Sequence, residues 1–333
     1  MSNILEANLY IIAEINTSHF GDLDQVENAI SLAERCGANA IKFQSWKAES
    51  LYTKDWLAKN RIQARFLKKF SLSQSELRHA KKICDEFGLG FSSTPYTVDE
   101  IAELEEMGPA FLKIASMDLV SGDLLEEAVK TGLPLVVSTG MATEDEINEA
   151  LSVLGPALER TVMMHCVSLY PTDESDSNVL RIKGLRDANT LGKVGFSDHS
   201  RSSVASTVAV GLGATVFEKH LTLDSGAAGF DNAMALEGAE FERYVNDLKA
   251  ARETLGTGEI NPSVREYEQR AIMRRSAHYR DGYGSGSRLT LDMIEFRRPG
   301  EGLGFSEIDP LIGRVLSRDV SAGEMVVAND FMN

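Results

Sequence analysis

The sequence has few cysteines, no long hydrophobic run and no excess of positive charge. Its three cysteines, Cys36, Cys84 and Cys166, are an odd number and widely spaced, so they predict neither a disulfide framework nor a cysteine metal site. No apolar stretch reaches the roughly 20 residues that a membrane-spanning helix needs, and the first ten residues lack the features of a secretory signal. We therefore expect a cytoplasmic protein with no membrane partner.

Acidic residues outnumber basic ones. The chain has 34 Lys and Arg against 50 Asp and Glu, which gives a net charge of -16 at pH 7. Such a chain repels the phosphates of nucleic acids, so we expect no nucleic-acid partner. A small anionic ligand is still possible, because a few local lysines, hydroxyls and backbone N–H groups can bind it. With 333 residues, the chain is long enough for one large domain and a small one.

Short apolar runs alternate with amphipathic helical stretches over about the first 250 residues, which is typical of a parallel sheet covered on both faces. Eight such units in this length predict a (β/α)8 TIM barrel. A doubly wound open sheet is the alternative, but the sequence lacks the glycine-rich dinucleotide motif expected after one of its strands. The eight runs are 10–15, 40–44, 89–95, 111–116, 133–139, 162–167, 193–198 and 214–220.

The chain changes character near Arg275. From there, short β-type runs punctuated by glycine replace the alternation of strands and helices. They predict a β-rich module of roughly 60 residues, too small for much of a core of its own. We therefore expect a catalytic barrel at residues 1–258, a linker at 259–274 and a small domain at 275–333.

Residues 45–70 lengthen the loop that follows the second predicted strand. They contain Trp46, Trp56 and seven Lys or Arg residues. One interpretation is a solvated helical segment anchored by its aromatic side chains. The other is a lid that closes over the mouth of the barrel, as active-site loops do in several enzymes.

Polar side chains stand where each of the eight predicted strands ends. The C-terminal face of a barrel is where its chemistry is placed, and core packing alone does not require polar residues on apolar strands. Any single one can be a turn former or a structural hydrogen-bonding residue, but together they predict a site. Strand by strand they are Glu14, Lys42 with Gln44, Thr94, Lys113 with Ser116, Ser138, His165 with Ser168, Ser197 with His199, and Glu218 with His220.

Two histidines, His199 and His220, follow the last two strands. A lone His at a strand end is most often structural, but two on neighbouring strands face one cavity. Two neutral imidazoles with open positions suit a divalent cation such as Mn2+, Zn2+ or Fe2+, which acts as a Lewis acid on a carbonyl oxygen. Asp231, on the next loop, is either a residue that holds substrate or metal-bound water, or a turn former.

Lysines and hydroxyls form the other half of this ring. Lys42 and Lys113, with Ser116, Ser138 and Ser197, suit a phosphate, a carboxylate or both. An anion site beside a carbonyl-activating metal indicates condensation of a phosphorylated carboxylate with an aldehyde. Two rivals are a metal-free Schiff-base lyase that splits a keto acid through Lys113 and a sugar-binding protein without activity.

Nine segments, in the same order, resemble those of the sialic acid synthase (N-acetylneuraminate synthase) family over nearly the whole chain. They are "IIAEIN…SHFGD", "AIKFQ", "FSSTP", "LKIAS", "VVSTGMAT", "HCVSLYPT", "GFSDHS", "FEKHLTLD" and "RRPGEGLG". The resemblance implies a metal-dependent (β/α)8 barrel followed by a small antifreeze-like (SAF) domain. It also implies condensation of phosphoenolpyruvate with an N-acetylmannosamine-type sugar and water, giving a nine-carbon 2-keto acid and phosphate. Legionaminic and pseudaminic acid synthases, which use 6-deoxy-diacetamido sugars, are the alternatives.

The resemblance further implies roles for matching residues. His199 and His220 would bind the metal, Mn2+ or else Mg2+ or Co2+. Arg298 would reach the barrel mouth of a partner subunit, which implies a domain-swapped homodimer. The implied catalytic residues are Glu14, Lys42, Lys113 and Asp118. The implied substrate-binding residues are Gln44, Thr94, Ser116, Ser138, Ser168, Tyr170, Ser197, Asp231 and Arg298.

Some positions depart from the commonest family pattern. Ser18 stands where Asn is expected, and Asp118 stands where Glu is usual. Asp231 lacks the usual Pro before it and His after it. These positions surround the sugar in the implied site, so the sequence supports the phosphoenolpyruvate half of the reaction better than the identity of the sugar.

Overall fold

The computed structural model describes residues 3–227 and 231–332. They fall into two compact units, Met1–Gly256 and Thr257–Asn333. The segment 259–274, which we expected to be a linker, contains a helix and falls within the second unit, so the expected domain boundaries stay a prediction. Within the described residues, no helix is long and apolar enough to cross a membrane.

A ring of eight strands forms the first unit. Seven neighbouring pairs are hydrogen-bonded in parallel in the order β3-β2-β1-β8-β7-β6-β5-β4. Between β3 and β4, Ala110 donates its backbone N–H to the Phe91 carbonyl, so the ring is nearly closed. The predicted TIM barrel is confirmed. Strands β1 to β8 are Tyr10–Glu14, Ala40–Ser45, Gly90–Pro95, Leu112–Ile114, Leu135–Ser138, Thr161–Cys166, Lys193–Asp198 and Val216–His220.

Helices surround the ring, and local sequence explains where several of them begin. Ser73 and Thr143 each accept a backbone N–H three residues on, while Glu76 and Glu146 accept from the cap N–H in return. Helices α1 to α11 are Leu23–Arg35, Ala48–Leu51, Lys54–Lys59, Arg61–Lys69, Gln74–Phe87, Val98–Glu105, Gly122–Lys130, Glu144–Leu154, Arg181–Ala188, Val204–Gly211 and Gly238–Thr254.

The interior of the barrel is apolar at its N-terminal end and polar at its C-terminal end. Tyr10, Ile12, Phe111, Val136 and Met164 belong to one buried cluster inside the ring. A larger cluster fills the layer between strands and helices. Full burial of such a side chain contributes about 1.5–3 kcal/mol, so this packing supports a polar mouth whose own burial is unfavourable.

The second unit is small and has its own core. Strands β9, Ser276–Tyr279, and β10, Ile294–Arg297, pair antiparallel, and isolated bridges extend this arrangement. Ala277, Leu316 and Phe331 belong to its buried cluster. Its helices α12 and α13 are Val264–Met273 and Phe305–Ile308.

Candidate active site

The carboxyl ends of the eight strands surround a cavity of about 400 Å³. Every strand, or the loop directly after it, contributes to the lining, as the barrel prediction requires. All the implied catalytic, substrate-binding and metal-binding residues except Asp118 and Arg298 line this cavity, and their roles stay predictions. The lining residues are Glu14, Asn16, Lys42, Gln44, Thr94, Tyr96, Lys113, Ala115, Ser116, Met117, Ser138, Met141, Cys166, Ser168, Tyr170, Ser197, His199, Glu218, His220 and Asp231.

Asp118 and Arg298 lie elsewhere. Asp118 is buried in a 3-10 turn and lines a neighbouring cavity that shares Tyr96 with the first. Burial raises the pKa of Asp118 to about 6, although Lys113 lowers it. Arg298 is exposed on the second unit, directly after β10.

His165 corrects our expectation of which β6 side chains reach the mouth. Its Nε2 lies 2.7 Å from the Ser177 carbonyl, and its ring stacks on Phe196 on the outer side of the strand. Because side chains alternate along a strand, the next residue, Cys166, lines the cavity instead. We missed Cys166 because we looked for polar residues at the strand end without considering which face each occupies.

Two lysines and two glutamates form a buried network at the floor of the cavity. Glu14 pairs with Lys42, and Glu218 lies 3.7 Å from the Lys42 ammonium and 3.8 Å from that of Lys113. Lys42 also donates to the Thr94 hydroxyl at 3.0 Å. The equal numbers of cations and anions keep this buried cluster close to neutral, which buried charges require.

These neighbours shift the pKa values of the four groups in different directions. Burial opposes the charged form of Lys42, but Glu14 and Glu218 outweigh it and raise the pKa. Burial likewise acts against Glu218, yet the two lysines lower its pKa to about 2. Burial dominates in the other two groups, raising the pKa of Glu14 and lowering that of Lys113. Glu218 is therefore the firmly ionised carboxylate, and Glu14 is the one closer to protonation.

The two predicted metal ligands lie side by side, with ring centres 5.4 Å apart. His199 Nδ1 is 2.8 Å from the Val167 carbonyl, so it donates its proton there, and Nε2, 3.4 Å from the Ser197 hydroxyl, is the nitrogen that carries the lone pair in the neutral ring. Burial and the neighbouring His199 hold the pKa of His220 well below its usual value, so His220 is neutral. Burial lowers the pKa of His199, but Cys166 and the Val167 carbonyl outweigh burial, so the pKa lies above its usual value. A cation would therefore compete with a proton at His199.

This donor set fits an open metal site. In the part of the chain that the structure describes, no group of three or more His, Cys, Asp or Glu side chains is arranged to hold a metal ion. If a borderline divalent cation binds here, the two imidazoles would share it with water and substrate oxygens, and such open positions occur in catalytic rather than structural sites.

An ion pair that we did not anticipate lies behind the histidines. Asp198 and Lys219 face each other across β7 and β8, their Oδ2 and Nζ 3.0 Å apart, and both are about 1% exposed. Lys219 also donates to the Ser200 carbonyl at 2.5 Å. Each partner immediately precedes one histidine, so the pair holds together the strand ends that carry His199 and His220.

The loops after β1 and β8 are also tied together. Asn16 donates its side-chain amide to Asp231, and Ser18 donates its hydroxyl to the Asn232 side chain at 3.1 Å. Asn16 was not among our predicted site residues, although it lines the cavity. Phe230, beside Asp231, lies outside the described residues.

The 45–70 segment folds around its aromatic residues. Trp46 donates its indole N–H to the Leu67 carbonyl at 3.2 Å, and Tyr52 stacks on Trp56 with ring centres 3.9 Å apart. Of the residues in the described chain that line the cavity, none comes from 46–70. These contacts support the interpretation as an aromatic-anchored segment, and a lid function stays a prediction.

Comparison with known proteins agrees with this architecture. The NeuB family model matches residues 29–260, and the SAF domain model matches residues 274–332. A protein of Legionella pneumophila named N,N'-diacetyllegionaminic acid synthase is 33% identical over 94% of this chain and 92% of its own. Human N-acetylneuraminate-9-phosphate synthase is 27% identical over 92% of this chain and 88% of its own.

A solved structure gives the same result. The crystal structure of N-acetylneuraminic acid (sialic acid) synthetase from Leptospira borgpetersenii has 32% identity and a TM-score of 0.73, covering 78% of this chain and 90% of its own. The resemblance to the sialic acid synthases and the expected SAF domain are thereby confirmed. Since the family model matches well over half of its residues, this chain belongs to the NeuB family.

Proposed function

We propose that this protein catalyses the metal-dependent condensation of phosphoenolpyruvate with an N-acetylmannosamine-type sugar and water. The products are a nine-carbon 2-keto acid of the sialic acid type and phosphate, which makes the protein a C–C bond-forming transferase. The observation that carries the proposal is the cavity itself, where paired lysines and hydroxyls stand beside two imidazoles. The names of the Legionella, human and Leptospira relatives support it.

The lysine side of the cavity would bind phosphoenolpyruvate. Lys42 and Lys113 supply positive charge, and Thr94, Ser116 and Ser138 supply hydroxyls on three neighbouring loops and strands. Glu14 and Glu218 hold the ammonium groups in place before the anion arrives. Positive charge positioned in advance in a buried site stabilises the phosphate as it leaves.

The histidine side would bind the sugar aldehyde. His199 and His220 would hold a divalent cation, and that cation would polarise the aldehyde oxygen. C3 of phosphoenolpyruvate would then attack the aldehyde carbon, and water would add at C2 before the C–O bond to phosphate breaks. Glu14, whose pKa burial raises, is placed to accept a proton from that water. Tyr170 packs on His199 with ring centres 4.2 Å apart and covers this side of the cavity.

A 6-deoxy-diacetamido sugar is the second candidate acceptor. The Legionella relative named for legionaminic acid is 33% identical, against 27% for the human relative named for N-acetylneuraminate 9-phosphate. Ser18 and Asp118 depart from the commonest family pattern, although neither lines the cavity. Both features favour testing the diacetamido sugar beside N-acetylmannosamine.

We further propose that the protein acts in the cytoplasm as a domain-swapped homodimer. Arg298 is exposed on the SAF unit, so its guanidinium is accessible to a second chain. In a dimer it would bind the N-acyl group of the sugar in the partner's barrel.

The decisive experiment follows phosphate release from phosphoenolpyruvate with each sugar, in Mn2+ and in EDTA. Release that needs both sugar and metal, and that is coupled to keto-acid formation, would support the proposal. Release unaffected by EDTA would contradict the metal role. Borohydride trapping with pyruvate separates the rival lyase, because only a Schiff base at Lys113 would leave a stable adduct.

A further inference from the structure

Asn16 has an unused hydrogen-bond acceptor in the active-site cavity. The residue is 6% exposed and lines the cavity. Its Nδ2 donates to Asp231, and this contact orients the amide, because a carboxylate oxygen accepts and cannot donate. The other end of the amide, Oδ1, has no hydrogen-bond partner anywhere in residues 3–227 or 231–332.

The conformation of Asn16 adds a second unfavourable feature. Its φ is 36°, in the left-handed region where residues with a side chain are uncommon, although asparagine tolerates it better than most. A buried oxygen without a partner also costs the folded state free energy. Two such costs at one residue in an active site indicate that the residue is kept for function rather than for stability.

The position of Asn16 selects the ligand that would supply the missing donor. It stands on the loop after β1, next to β8 and on the opposite side of the ring from Ser138 of β5. Its neighbours are Asp231 and Glu14, whose Oε1 accepts the Asn16 backbone N–H at 2.6 Å. Ionised phosphoenolpyruvate carries no hydrogen-bond donor, so it could not satisfy Oδ1. Of the two organic substrates, the sugar is the one with N–H and O–H groups to offer.

We propose that Asn16 determines specificity for the acceptor sugar, with Oδ1 accepting a hydrogen bond from a sugar N–H or O–H while Nδ2 holds Asp231. The inference rests on the proposed condensation and deepens it, since it names a residue that recognises the acceptor sugar. A neutral amide suits this task, because it can donate to Asp231 and accept from the sugar at the same time.

The test is Asn16→Gly, which keeps the positive φ and the backbone N–H but removes the amide. We expect the KM for the sugar to rise about tenfold or more, because a site built to pair a polar group discriminates strongly when the pair is lost. The KM for phosphoenolpyruvate should stay within about twofold. Asn178→Gly is the matched control: Asn178 also has a positive φ, 39°, but it is exposed and outside the cavity lining.

Measurements with two sugars identify the sugar group that donates the hydrogen bond to Asn16 Oδ1. Equal losses with N-acetylmannosamine and with the 6-deoxy-diacetamido sugar would place the donor on a group that both share. A loss confined to the diacetamido sugar would identify its additional N–H. Both results support the inference, whereas an unchanged sugar KM, or an equal rise in both KM values, overturns it. Asn16→Asp, which keeps the shape but cannot donate to Asp231 when ionised, should lose affinity as well.

Saturation-transfer NMR of sugar binding separates this inference from the proposed reaction. If the wild-type protein binds a sugar, Asn16→Gly does not, and no phosphoenolpyruvate is consumed, then the condensation is wrong and the role of Asn16 stands. If the wild-type protein binds neither sugar, both are overturned.

Discussion

At the scale of single residues, the cavity keeps charged and polar groups buried where a stability optimum would not place them. Glu14, Lys42, Lys113 and Glu218 are all less than 5% exposed and depend on one another for compensation. Ser138 Oγ, like Asn16 Oδ1, lacks a hydrogen-bond partner within the described chain. Such groups are retained at a cost in stability when ligands complete them.

The first residue-scale prediction concerns the two imidazoles. His199→Ala and His220→Ala should each lower metal-dependent phosphate release by about 100-fold or more, because each removes one of two protein ligands. Binding of Mn2+, followed by the EPR signal of the free ion, should weaken in parallel. His79→Ala is the control, since His79 lies on the surface paired with Glu27. Full Mn2+ affinity in both cavity variants would refute the assignment.

The second concerns Asp118. Burial raises its pKa from 3.8 to about 6, although Lys113 acts against the rise. A raised carboxyl pKa contributes stability below about pH 4, and that stability is lost as the pH rises towards 6. Asp118→Asn should therefore unfold with a free energy at least about 1 kcal/mol higher than the wild type at pH 7, and with a smaller difference near pH 4.

Urea denaturation at the two pH values measures this difference. Asp99→Asn serves as the control, because Asp99 is an exposed carboxylate on the same neighbouring cavity. Surface substitutions of this kind usually change stability by less than about 0.5 kcal/mol. Equal behaviour of the two variants would show that burial does not perturb Asp118. A loss of activity in the more stable Asp118→Asn protein would support the predicted catalytic role.

At the scale of elements, β7 and β8 position the metal side from behind. Residues that alternate along these strands serve two layers: Glu218 and His220 face the cavity, while Lys219 between them faces the helices. Asp198 pairs with Lys219 and also accepts from the Ser206 hydroxyl at 2.7 Å. The helix layer and the strand ends are therefore connected through this one ion pair.

Lys219→Met should destabilise the protein by about 3–5 kcal/mol, because it leaves Asp198 buried without a counter-charge. The double variant Asp198→Leu/Lys219→Met should recover part of that loss in urea unfolding. Affinity for Mn2+ in folded Lys219→Met should fall about 10–100-fold, as expected for groups that orient metal ligands. Lys47→Met, which removes an exposed ion pair with Glu103, should cost less than about 1 kcal/mol. If Lys219→Met and Lys47→Met were equally stable, the Asp198–Lys219 ion pair would have no energetic importance.

At the scale of the whole molecule, the chain places its chemistry in one unit and a candidate sugar contact, Arg298, in the other. The second unit has a core that includes Tyr279, Leu316 and Phe331, so it is a structured module rather than a tail. Helix α12 has no buried residue within its unit. A module of this kind can act on a neighbouring copy in a closed dimer.

Subunit complementation tests the proposed domain-swapped homodimer. We expect His199→Ala and Arg298→Ala each to be nearly inactive alone. After the two are unfolded and refolded together in equal amounts, activity should recover to about one quarter of the wild type, because half of the dimers are mixed and each has one intact site. Mixing His199→Ala with His220→Ala, which share the same barrel defect, should restore nothing. No recovery in the first mixture would contradict a swapped dimer.

The barrel was predictable from the sequence because its signals are local. Alternation of apolar runs and amphipathic segments depends on hydrogen bonding and burial within a few residues, and each run falls on an observed strand to within two residues at either end. The strand ends also identified most of the cavity, since parallel strands deliver their carboxyl ends to the same face. Identity of the sugar was not predictable, because Ser18 and Asp118, which depart from the family pattern, lie outside the strands.

The sequence by itself determined the barrel, the SAF module and the types of side chain at the mouth. Only the tertiary structure decided which of these side chains meet. It turned His165 outward and Cys166 inward, paired Asp198 with Lys219 behind the histidines, and brought Asn16 to Asp231 across 215 positions of the chain. The physical reason is that strand register and barrel closure decide which side chains of a strand face the cavity. Both are set by contacts between distant segments.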